Sequence, residues 1–225
     1  MDVEAVRDRV AQAARRAGRD PAEVTLIAVT KGHPLAVARG AAAAGLRELG
    51  ENRVPEAVEK QDAWPDAGVR WHLIGHLQRN KAKLAVGRFV LIHSLDSVRL
   101  AEALEQAAAA RNLVQDVLVE VNVAMEPQKS GVLPAEAEAL VRHAAGLPHL
   151  AVKGLMTVAP FTDDPAVLRA TFRGLRELGE RVRAARGPGG DWQLSMGMSN
   201  DFEIAIEEGA TMVRLGTVLF GERPT

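Results

Sequence analysis

Eight short apolar segments, alternating with stretches of helical periodicity, run through the 225 residues from end to end. The segments fall at about 24–31, 46–51, 70–75, 89–94, 117–123, 152–157, 193–196 and 211–216. Helical patterns occupy about 34–45, 53–61, 79–86, 97–110, 134–145, 165–185 and 201–208. A leading amphipathic helix over roughly 2–17 (Val3, Val6, Val10, Ala13, Ala14, Ala17), stopped by Gly18, precedes the first strand. Strict strand–helix alternation points to a parallel sheet, and eight repeats are what closes one into a (β/α)8 barrel. The alternative, a doubly wound open sheet, is ranked lower because no Gly-rich dinucleotide loop follows the first strand. The expected fold is therefore a TIM barrel of the α/β class, one domain over residues 1–225 with an extra N-terminal helix. Gly187-Pro188-Gly189-Gly190 reads as a loop before the seventh strand and not as a linker.

Composition narrows the chemistry. With 28 basic and 29 acidic side chains the formal net charge is −1, which favours neither nucleic acid nor an anionic membrane as a partner. The absence of cysteine excludes disulfides, thiolate metal sites and cysteine nucleophiles. The histidines have no spacing that builds a metal site. No run approaches the ~18 apolar residues of a membrane helix, and the N-terminus has no signal-peptide core. A cytoplasmic protein is expected.

In such barrels the site lies at the C-terminal ends of the strands. Lys31 stands there, closing the run Val24 to Lys31 ahead of Gly32-His33-Pro34. At the end of a buried strand the amine can point into a pocket, where desolvation favours its neutral form, the form that condenses with an aldehyde; alternatively the side chain only snorkels to solvent. Glu51-Asn52, Gly75-His76, Asn122, Met156-Thr157, Ser195 to Ser199 and Gly216-Thr217 share that rim, while the strand interiors are expected to be mostly apolar.

The last two strand ends have the makings of an anion site. Asn200 and Glu203 match a capping box, Ser199 offers a hydroxyl near a helix start, and Gly216-Thr217 brings amides close after the eighth strand. Asp201 and Glu203 already supply negative charge there. Ordinary capping and turn chemistry would satisfy either motif taken alone. Arg214 shares side-chain parity with Gly216 and Met212. It is either a cation beside the phosphate loop or a structural partner of Glu120 or Glu51.

An ordered set of motifs now emerges. It comprises Leu26 to Lys31, Gly50-Glu51-Asn52-Arg53, Trp71 to Lys81, Ile92-His93-Ser94-Leu95-Asp96, Lys129-Ser130-Gly131, Gly154-Leu155-Met156-Thr157, Leu194 to Ser199, Val213 to Thr217, and Phe220-Gly221-Glu222-Arg223. The set spans nearly the whole chain and resembles the pyridoxal-phosphate homeostasis protein family, single-domain relatives of the alanine racemase barrel in the fold-type III group. The resemblance implies that Lys31 holds pyridoxal 5′-phosphate through a Schiff base. It implies that Ser199, Gly216 and Thr217 hold the phosphate, with Ser195 a weaker candidate. Arg214 would face the pyridine nitrogen and Asn52 would line the pocket. His72 either approaches the ring or is a hydrogen-bonded core histidine, and Lys129 is either a pocket-edge cation or a solvated loop lysine.

Two functions compete. A racemase needs bases on both faces of the bound substrate, and in the racemases the second is a tyrosine from another domain. This chain has no tyrosine or cysteine, and it ends soon after Gly216. A protein that stores, buffers or delivers the cofactor needs only the lysine, the phosphate cradle and an exposed rim. The family resemblance favours the second function, with no catalytic residue assigned. The expected partners are the cofactor itself and apo-enzymes that use it, and the chain is expected to be a monomer.

Overall fold

Eight parallel strands pair in chain order and close on themselves. They are β1 (Thr25–Val29), β2 (Glu48–Glu51), β3 (Arg70–Leu73), β4 (Leu91–Leu95), β5 (Gln115–Glu120), β6 (Leu150–Met156), β7 (Gln193–Ser195) and β8 (Met212–Leu215). Closure runs through β8 beside β1, with Ile27 opposite Arg214 and Ala28 opposite Leu215. Outside lie α1 (Val3–Arg16), α2 (Leu35–Ala43), α3 (Val54–Asp62), α4 (Ala82–Ala85), α5 (Val98–Ala109), α6 (Pro134–Ala145), α7 (Pro165–Arg186), α8 (Phe202–Glu207) and α9 (Thr217–Phe220). This computed structural model describes residues 2–65, 68–186 and 191–222. The expected 187–190 loop and Arg223 of the closing motif lie outside the described residues. No helix among the described residues is long and apolar enough to cross a membrane.

The alternate residues of each strand split between two environments. Val117, Val119, Val213, Leu215 and Ile92 face the helices and join the large core cluster. Leu91, Leu118 and Met156 form a small separate cluster, with Met212 packed against it. The expectation of mostly apolar strand interiors needs correcting, because His72, His93, Ser195 and Arg214 are buried and bonded to one another.

The N-terminal helix α1 is set by Asp2, whose Oδ1 accepts from the Ala5 amide at 3.0 Å. Its Val3, Val6, Val10, Ala13 and Ala14 are buried at helical spacing. Arg9 and Arg16 pair with Glu203 at 2.8 and 2.9 Å, tying α1 to α8. Those ion pairs remove Glu203 from the expected capping box with Asn200. Asp201 takes the N-cap position instead, and its Oδ1 accepts from the Met198 amide at 2.5 Å.

Strand bounds also differ from the apolar runs. β5 begins at Gln115, whose amide donates to His149 O at 2.9 Å, and ends at Glu120; Val121 beyond it forms an isolated bridge to Val132 and donates to Met156 O at 2.8 Å. β1 stops at Val29, two residues before Lys31. Residues 79–86 split into a 3-10 turn (Arg79–Lys81) followed by α4. Ladder pairing is a backbone property, so polar residues enter strands and apolar ones leave them.

Candidate active site

A cavity of about 610 Å³ opens at the C-terminal end of the barrel. It falls within the ordinary range for small-molecule sites. Lys31, Asn52, Ser199, Arg214, Gly216 and Thr217 all line it, as do His76, Glu120, Lys129 and Phe161. The sequence brings those six together because each sits at or just past a strand end. His72 and Ser195 are not among the lining residues. They are 1% and 0% exposed, inside the barrel beneath the cavity.

The half-buried Lys31 is carried by a tightly bonded strand end. Its neighbour Thr30 is buried, with its amide donating to Gly50 O at 3.0 Å and its Oγ1 donating to Glu51 Oε1 at 2.6 Å. The Lys60 ammonium donates to Thr30 O at 2.9 Å and to Glu51 Oε1 at 2.7 Å. Burial pushes the Glu51 carboxyl up despite that ammonium. Glu51 and Lys60 thus lock the base of the Lys31 loop, and Glu51 is not the partner of Arg214.

Asn52 is placed by Gly75. A Cβ at residue 75 would stand 2.5 Å from Asn52 O and 2.8 Å from its Cα, so the close approach of the two loops requires glycine. At the far rim His76 Nδ1 lies 3.1 Å from Asp96 Oδ2. Lys129 is neither solvated nor directed wholly at the cavity. Its ammonium donates to Ala159 O at 2.8 Å and to Val158 O at 3.3 Å, and it pairs with Glu126.

On the other side of the mouth, Ser199 Oγ accepts from the amides of Gly216 (3.3 Å) and Val218 (3.2 Å). Two amides and a hydroxyl therefore converge, and the hydroxyl proton remains available to a ligand oxygen. Thr217 is exposed beside them. Beneath them lies the Arg214 guanidinium, 4% exposed. Its Nη1 donates to Ser195 Oγ at 2.6 Å and its Nη2 to Thr157 O at 2.8 Å. Burial lowers this guanidinium to about 10, still cationic at neutral pH.

Glu120, weighed from sequence only as a partner of Arg214, is itself a wall of the cavity. Among the described residues it makes no hydrogen bond to Arg214, and its Oε2 is buried without a partner. Burial, followed by repulsion from Asp96, raises its carboxyl from 4.5 to about 7, with Arg214 acting the other way. A carboxyl raised on folding costs nothing below its unfolded value, and stability is lost as pH rises through the folded value. At about 1.4 kcal/mol per unit, the cost at pH 8 is on the order of 3 kcal/mol. Glu120→Gln is expected to stabilise the protein by about that amount at pH 8 and hardly at all at pH 4, measured by urea denaturation across pH. A gain independent of pH would contradict the assignment.

No group of three or more His, Cys, Asp or Glu side chains among the described residues is arranged to hold a metal ion.

The comparisons agree with this geometry. The model of the alanine racemase N-terminal domain matches residues 1–224. The pyridoxal phosphate homeostasis protein of Aquifex aeolicus is 46% identical over 218 residues, covering 97% of this chain and 95% of that one. PipY of Synechococcus elongatus, solved with pyridoxal phosphate bound, superposes with a TM-score of 0.83 at 39% identity, over 96% of this chain and 100% of that one. An alanine racemase from Clostridium difficile shares the fold alone: TM-score 0.76 at 14% identity, over 97% of this chain and 57% of that one. Matched along its length by that family model and by a relative of similar size, the chain belongs to the pyridoxal phosphate homeostasis protein family, built on the alanine racemase N-terminal barrel.

Proposed function

We propose that this protein binds pyridoxal 5′-phosphate and serves its homeostasis in the cytoplasm, by holding, buffering or delivering the cofactor. The observation that carries this reading is the convergence of an amine (Lys31), a fork of two amides with the Ser199 hydroxyl, and a buried cation (Arg214) on one cavity. That donor set fits an aldehyde, a phosphate and a heteroaromatic nitrogen. Bound, the cofactor supplies the aldehyde and an electron-withdrawing ring. Lys31 provides the nucleophilic amine that captures it. The Ser199 and Thr217 hydroxyls orient the phosphate, with Ser199 held towards it by the Gly216 and Val218 amides. Arg214 presents N–H donors to the ring nitrogen and disfavours protonation there. Asn52 closes one side.

The relative solved with the cofactor and the family name support the same reading. A monomer that passes the cofactor to apo-enzymes is the simplest form of it. An amino-acid racemase remains the competing reading, but the likeness to racemases carries the fold alone, and the chain has no tyrosine or cysteine to act as second base.

Removing one charge-assisted hydrogen bond costs about 1.5–3 kcal/mol, roughly ten-fold or more in affinity. Ser199→Ala and Thr217→Val are each expected to weaken pyridoxal phosphate by about that factor and to leave unphosphorylated pyridoxal almost unchanged, in equilibrium titrations. Equal losses for the two ligands would move the phosphate elsewhere. Loaded protein should pass its cofactor to an apo-enzyme acceptor without turning over amino acids. Robust alanine racemisation that depends on Lys31 would favour the enzyme.

A further inference from the structure

His72 and Ser195 do not line the cavity at the barrel mouth, yet they are buried polar groups in one continuous series with His93. Glu48 Oε2 lies 2.6 Å from His72 Nε2, and His72 Nδ1 lies 2.9 Å from His93 Nε2. His93 Nδ1 lies 2.9 Å from Ser195 Oγ, which lies 2.6 Å from Arg214 Nη1. The series begins at Glu48, the first residue of β2, and ends on the cation beneath the cavity.

Donor counting fixes its direction. A carboxylate only accepts and a guanidinium only donates. His72 Nε2 must therefore carry the proton facing Glu48. With His72 neutral, its Nδ1 accepts, so His93 Nε2 carries a proton and His93 Nδ1 accepts from the Ser195 hydroxyl. Ser195 Oγ in turn accepts from Arg214. Every proton then has an acceptor. With His72 doubly protonated and His93 neutral, the middle of the series reverses and the Ser195 hydroxyl proton, in a fully buried site, is left with no acceptor. Burial, with the nearby His72 and Arg214, keeps His93 neutral, as both arrangements require, so the choice between them rests on the acceptor for the Ser195 hydroxyl proton.

We infer that Glu48, His72, His93 and Ser195 form a one-way hydrogen-bond relay that positions the Arg214 guanidinium from the opposite end of the barrel. They are positioning residues for the ring side of the site. Their effect on the ligand rests on the cofactor reading above, whereas the relay itself does not.

The test therefore has two arms. In the ligand-free protein, ¹⁵N NMR should find His72 and His93 both as the Nε2–H tautomer, and the Arg214 guanidinium N–H signals should be slowed in exchange. Ser195→Ala should release those Arg214 signals. Glu48→Leu should alter the tautomer balance, whereas Glu48→Gln, whose amide oxygen still accepts, should preserve it. In the second arm, cofactor-loaded Ser195→Ala should bind about ten-fold more weakly and shift the visible band and its pH dependence. Glu48→Leu should shift them the same way and Glu48→Gln should not. An Nδ1–H tautomer at either histidine, or unchanged Arg214 signals in folded Ser195→Ala, would overturn the relay. A relay intact by NMR with no effect on the loaded spectrum would overturn its role in the site. Wild-type protein with no visible band would sink the cofactor reading and leave the first arm to decide the relay.

Discussion

Lys31→Ala should lose the visible absorption of the cofactor complex altogether and bind pyridoxal phosphate about 100-fold or more weakly, roughly 3 kcal/mol. The side chain faces the cavity and is half-buried, while the packing of its strand end is carried by Thr30, Glu51 and Lys60. The variant should therefore fold, and the loss should be of capture alone. Lys31→Arg separates charge from nucleophilicity, because a guanidinium stays protonated and does not condense with an aldehyde. It should keep part of the phosphate affinity and none of the visible band, in absorbance titrations of the two variants beside the wild type. Retention of a full-strength band in Lys31→Ala would assign the capture to another amine.

Lys60→Met should be the more damaging change for stability, costing about 3–5 kcal/mol, because it strands a buried carboxylate. The side chains of Lys60 and Glu51 are 8% and 0% exposed, and Glu51 Oε2 already has no partner among the described residues. Without the ammonium, the Glu51 carboxyl keeps only the Thr30 hydroxyl on Oε1. The double variant Lys60→Met with Glu51→Leu should recover most of the loss, since apolar replacement of both partners is often close to neutral. Urea denaturation of the single and double variants measures this. A single variant as stable as the wild type would mean that the pair contributes little. The same lesion should loosen the Lys31 loop, because Lys60 also donates to Thr30 O.

The barrel was legible because the alternation of apolar runs and helical periodicities survives every local ambiguity. The edges were not, because ladder hydrogen bonds recruit residues such as Gln115 and leave out ones such as Val123, which lies in a turn. The candidate site was legible at Lys31, Asn52, Ser199, Arg214, Gly216 and Thr217 for one reason: strand ends in a closed barrel converge on one mouth. His72 exposes the limit of that logic. Its parity with Ile74 and His76 is right about the face, but parity carries no depth, and two residues along a strand are about 6.6 Å. Ile74 and His76 reach the cavity, whereas His72 lies a layer beneath it. Ser195 lies beneath the cavity for the same reason. His93 was set aside for want of metal spacing, although histidines facing inward from neighbouring strands were a sign of a bonded pair. The capping box at Asn200 and Glu203 failed through long-range ion pairs from α1, which no local pattern reveals. Glu120 could be seen as inward-facing, but its unpaired oxygen follows only from the packed structure.

Borohydride reduction of the cofactor-loaded protein, followed by peptide mass mapping, tests the assignment of Lys31 most directly. The reduced cofactor should be recovered on the peptide carrying Lys31, in close to one equivalent. Recovery on a peptide carrying Lys129 or Lys153 instead, with Lys31 unmodified, would contradict it.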